Sequence, residues 1–124
     1  MIYDLSPRER ILQDTEAVAS LYRELGSLSA EKVVTQTLAE LATVITALVL
    51  RVRCHDLQGL PNRLQRLEDL ADHLGLISLG LVAADAKRCL NRNDSTAFAA
   101  VWARLMRVSE QILAEKGGFA GHSL

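Results

Sequence analysis

The sequence predicts an all-α protein, an up-and-down bundle of four core helices with an extra N-terminal helix. Three observations predict it. Apolar residues recur at helical spacing along almost the whole chain. Capping and stop residues fall between the periodic segments. Hydrophobic residues make up 49% of the chain but aromatics only 4%. The apolar mass is Leu, Ala, Val and Ile, which suits interdigitating helices better than a sheet. The 124 residues show no strand-like alternation and fit one compact domain.

The first helix opens at Ser6-Pro7-Arg8-Glu9, with serine at N-cap, proline at N1 and glutamate at N3. That is a capping box. Ile11, Thr15, Val18, Tyr22 and Leu25 follow at helical spacing, and Gly26 supplies the stop. Ser27 or Ser29 caps the second helix, expected to run to about His55. Its stripe is Val34, Leu38, Leu41, Ile45, Leu48 and Val52. Val44, Ala47 and Leu50 lie off that stripe, so its middle is apolar nearly all round. Such a helix must be surrounded. Either it sits centrally, or the Ala42 to Leu50 region pairs with a second copy.

Gly59-Leu60-Pro61-Asn62 breaks the run, and Pro61 belongs in the first turn of a third helix. That helix carries Leu60, Leu64, Leu67, Leu70, Leu74 and Ile77 on one face. Glu68, Asp69 and Asp72 form its wet face, balanced by Arg63 and Arg66. Ser78-Leu79-Gly80 reads as a short joint. A fourth helix is expected from Leu81 to Leu90, with Val82, Ala86 and Cys89 on one face. Asn91 to Ser95 is a polar turn in which Asp94 or Ser95 can cap. The last helix runs from about Thr96 to Lys116, burying Phe98, Val101, Trp102, Leu105, Val108, Ile112 and Leu113. Residues 1–5 and 117–124 are expected to be flexible.

Fourteen basic against fifteen acidic residues leave a formal charge of −1. No domain-wide positive field draws nucleic acid or anionic lipid, and neither is expected as a partner. The longest strongly apolar run, Ala42 to Leu50, is far shorter than the roughly 20 residues of a membrane span. MIYDLSPRER has no signal-peptide core, so a cytoplasmic location is expected, with Cys54 and Cys89 reduced. No C-x-x-C or H-x-x-x-H pair, Gly-rich phosphate loop or nucleophile elbow is present. No metal or other cofactor is expected, and His122 is incidental.

His55-Asp56-Leu57-Gln58-Gly59 is the one stretch with a chemical pattern. It resembles the phospho-acceptor signature, roughly H-x-L-K-G, of histidine-containing phosphotransfer domains. Ser78-Leu79-Gly80-Leu81, a helix, the turn NRND and a long amphipathic helix are similar to the last two helices of that family. The resemblance implies a phosphorelay module that binds response-regulator receiver domains and is at most a phosphoryl carrier, its transfer chemistry altered or lost. It implies His55 as acceptor, with His73 the alternative. Neutral imidazole is a competent nucleophile near neutral pH. Gln58 would donate hydrogen bonds to the phosphoryl oxygens, and Gly59 would give the approaching partner clearance.

The same five residues also read as a helix boundary, with His55 near the negative end of the dipole, Gly59 at C′ and Pro61 just beyond. On that reading the protein is a non-catalytic helical interaction or dimerisation module.

Overall fold

The computed structural model describes residues 11–116. It is an all-α helical bundle of α1 (Thr15–Leu25), α2 (Ser27–Arg53), α3 (Leu60–His73), α4 (Ile77–Asn91) and α5 (Ser95–Lys116). The helices pack in chain order: α1 on α2, α2 on α3, α3 on α4 and α4 on α5. One core joins the last four, with Leu41, Ile45 and Leu48 from α2 and Leu105, Val108 and Ile112 from α5.

Between them lies α3, whose Leu60, Leu64, Leu67 and Leu70, together with its cap residue Leu74, are all buried. Burying one such side chain is worth about 1.5–3 kcal/mol. The polar face of α3 ties it to both neighbours. Arg66 pairs with Glu40 of α2, and Lys87 of α4 pairs with Glu68 at 3.1 Å. Arg66 thus balances a carboxylate on another helix, not the acids of its own wet face.

The end of α2, α3 and α4 shares one geometry. Just past each helix a residue takes a left-handed φ: 56° at His55, 69° at Gly75 and 55° at Asn93. Its amide donates to a carbonyl three residues back, and the next amide donates to one five back. At α3 these bonds are Gly75 N–H to Asp72 O, 3.1 Å, and Leu76 N–H to Ala71 O, 2.8 Å. They satisfy carbonyls that the helix end leaves without partners.

The α3–α4 joint is therefore Leu74-Gly75-Leu76, not Ser78-Leu79-Gly80. The latter residues are buried within the first turns of α4. A glycine inside a helix looks like a breaker in sequence. Here Gly80 lies against Ala71 and Asp72 where α4 meets α3. The reset also turns Ile77 outward, to 43% exposed, so it does not continue the α3 stripe. Correspondingly, α4 starts at Ile77 rather than Leu81, and α2 stops at Arg53 rather than His55.

The start of the chain also departs from the expected helix. The Ser6–Glu9 capping box and both expected flexible ends lie outside the described residues. Residues 11–14 are not helical, and α1 begins only at Thr15, where Asp14 Oδ1 accepts the Glu16 amide at 3.0 Å. Residues 12–14 bond to the α3–α4 joint instead. The Asp14 amide donates to Gly75 O at 2.7 Å. The Leu12 amide donates to Ser78 Oγ at 2.7 Å, and the Ser78 amide returns to Leu12 O at 3.2 Å. This strap supports α1, which has only 11 residues and buries none. A helix that short is marginal alone.

Gly75 carries both the joint and the strap. A Cβ there would stand 2.1 Å from the Asp14 carbonyl oxygen. Gly75→Ala is expected to cost about 2–4 kcal/mol, from left-handed strain of about 1–2 kcal/mol plus overpacking. Urea unfolding monitored by circular dichroism checks it. A loss under about 1 kcal/mol would mean the strap yields freely.

Candidate functional site

HDLQG forms the connection between α2 and α3, and its residues do different jobs. His55 holds the left-handed position after α2, its amide donating to Val52 O at 3.1 Å. The Asp56 amide donates to Arg51 O at 2.9 Å, and the Asp56 carboxylate pairs with Arg51 at 2.7 Å. That ion pair stands where a helix stop of this kind often has an apolar contact. Gly59, expected at C′ of α2, instead takes a left-handed φ of 77° as the residue before α3. It lies beyond the helix end because His55 has already closed α2. Pro61 sits in the first turn of α3, where its missing amide proton is no loss.

The two candidate acceptors are placed apart. The His55 imidazole is exposed at the loop, and His73 is exposed as the last residue of α3. They flank opposite ends of a helix about 21 Å long. Neither lies in mid-helix. Gln58 and Gly59 do line a cleft of about 340 Å³ between α2 and α3, with Val44, Arg51, Asn62, Arg63 and Arg66. The lining does not include His55. Of its guanidinium groups, those of Arg51 and Arg66 face Asp56 and Glu40. Sequence reading missed this convergence of cations, because it depends on how α2 and α3 align. The free thiols of Cys54 and Cys89 are exposed and half-buried respectively. Among the described residues no group of three His, Cys, Asp or Glu could hold a metal.

The outer face of α2 is the other feature that stands out. An 18-residue window of this helix has mean hydropathy 1.8, yet only 22% of it is buried. By length and composition α2 could cross a membrane. The contiguous run Ala42 to Leu50 hides this, since from Val33 to Leu50 the helix carries only one charge, Glu40. Leu41, Ile45 and Leu48 hold one side of α2 in the core. On the other side Ala42, Thr43, Thr46, Ala47 and Leu50 line a shallow groove of about 390 Å³. Leu50 is 57% exposed. The Thr43 and Thr46 hydroxyls turn back onto their own helix, donating to Ala39 O at 3.0 Å and Ala42 O at 2.9 Å. With the hydroxyls satisfied within the helix, the face asks for no polar partner.

No protein-family model, curated protein or solved structure matches this chain.

The geometry gives His55 a structural role that can be measured. Histidine tolerates a left-handed backbone less well than glycine does. His55→Gly is expected to raise stability by about 1 kcal/mol, seen as a higher urea midpoint with unchanged slope. A destabilisation would show that the imidazole makes contacts worth more than the backbone strain.

Proposed function

We propose that this protein is a non-catalytic helical interaction module that self-associates through the outer face of α2. One observation carries the reading: the Ala42 to Leu50 face is apolar, satisfied in its own hydrogen bonds and uncovered. Monomers seldom leave a continuous apolar helix face in water. Covering it with a second copy removes that face from water on both chains at once, and a twofold pair uses the same patch twice.

A second reading has its own support. The exposed His55 precedes by three and four residues Gln58 and Gly59, which line the arginine-bearing cleft. A receiver domain docking there could pass a phosphoryl group to His55, with Gln58 and an arginine as hydrogen-bond donors to its oxygens. The helix-stop position of His55 favours the first reading, because an imidazole that closes a helix needs no chemical reason to be there.

Sedimentation equilibrium tests the first reading. The wild type is expected to be dimeric at micromolar concentration. Thr46→Arg and Leu50→Glu, both at exposed positions, should weaken the dimer at least about tenfold, a loss of about 1.4 kcal/mol, with helix content unchanged. A wild type that stays monomeric at high concentration sinks the reading. For the second, incubation with phosphorylated receiver domains should give acid-labile label that His55→Gly abolishes and His73→Gln does not. Absence of label across a broad receiver panel removes it.

A further inference from the structure

We propose that α2 pairs with α2 of a second copy in antiparallel register, with the twofold axis passing between Thr46 and Ala47. The inference rests on the self-association reading above and adds its orientation and alignment.

The charges flanking the apolar face set the direction. From Leu41 to Leu50 α2 carries no charge, while Glu40 precedes this stretch and Arg51 and Arg53 follow it. Parallel pairing would set Glu40 beside Glu40 and Arg51 beside Arg51. Antiparallel pairing brings Glu40 of each copy to the level of Arg51 and Arg53 of the other. It also sets each helix dipole against the opposite end of its neighbour. Glu40 and Arg51 already pair with Arg66 and Asp56 within the chain. Their meeting across the dimer would extend two exposed ion pairs into one network at each end. Isolated exposed pairs contribute little, and networks contribute more.

The spacing of the outer face sets the register. Ala39, Thr43, Thr46, Ala47, Leu50 and the cap residue Cys54 fall on one side of the helix, three or four apart on either side of the adjacent central pair Thr46-Ala47. This set is symmetric about a point between Thr46 and Ala47. In antiparallel alignment Thr46 meets Ala47, Thr43 meets Leu50 and Ala39 meets Cys54. Each large side chain then faces a small one, as close helix packing requires. Shifting by one turn in either direction breaks the match of Leu50 with Thr43 and moves Glu40 away from the level of Arg53.

Disulfide trapping reads the register directly, because a bridge needs Cα atoms within about 7 Å. The background carries Cys89→Ser, so the reporters are Cys54 and any introduced thiol. In the proposed dimer the two Cys54 residues lie about 20 Å apart along the helices, and in a parallel one they are level. With Cys54 alone, mild oxidation should give no dimer on non-reducing gels. Adding Ala39→Cys should give a covalent dimer whose linked peptides contain positions 39 and 54. Thr46→Cys with Cys54→Ser should cross-link across the axis, and circular dichroism confirms that each variant folds.

A Cys54–Cys54 bridge as the main product overturns the antiparallel register while leaving self-association standing. A sedimenting dimer that Thr46→Cys fails to trap places the contact elsewhere and overturns the register. A monomer by sedimentation overturns both claims. A monomer whose co-sedimentation with phosphatidylcholine–phosphatidylglycerol vesicles is abolished by Leu50→Glu also overturns them, and assigns the face to lipid.

Discussion

The bundle reverses direction through single residues held at positive φ, and the rest of the structure depends on that constraint. Three of its four connections close a helix this way, at His55, Gly75 and Asn93. Each closure satisfies two carbonyls that would otherwise face the end of a packed bundle without partners. Each also fixes the direction in which the next helix leaves. The leucines of α3 can meet both α2 and α4 only because Gly75 and the His55–Gly59 connection return the chain tightly on either side. Gly75 is the most constrained of the three. Its carbonyl holds the Asp14 amide, and no side chain fits between them.

The same constraint changes the meaning of HDLQG. A histidine, a leucine, a polar residue and a glycine in that order suggest chemistry when read alone. In the fold, His55 closes α2, Asp56 anchors the closure through Arg51, and Gly59 admits the chain to α3. Histidine is among the few non-glycine residues enriched in left-handed backbone, so its presence there is physically ordinary. Asn93 does the same at the end of α4 with no imidazole.

The leucine ladder of α3, the Pro61 start, the Gly26 stop and the Asp94 cap were legible in the sequence, because each is a local pattern with a local cause. What was not legible depends on distant partners. The strap joins Leu12 to Ser78 across 66 residues, and Arg66 reaches Glu40 across 26. Gly80 read as a break because glycine does both jobs, ending helices and letting them approach, and only the neighbouring helix decides which. The cleft followed the same rule. Gln58 and Gly59 were singled out, but the arginines beside them come from two helices whose alignment no short pattern encodes.

α2 exposes the side opposite its core stripe, since Ala42 to Leu50 shares its turns with the buried Leu41, Ile45 and Leu48. At 27 residues against 14 for α3, it outruns the helix it packs on by about 20 Å. α1 packs on α2 without burying any residue of its own. Extra length alone would leave an apolar helix poorly protected from water. The sequence instead keeps Leu41 to Leu50 uncharged around the whole helix, and closes that stretch with acid at one end and base at the other. A solvent-facing surface needs no such arrangement. On the self-association reading, the opposite charges at its two ends let the face meet its own reversed copy.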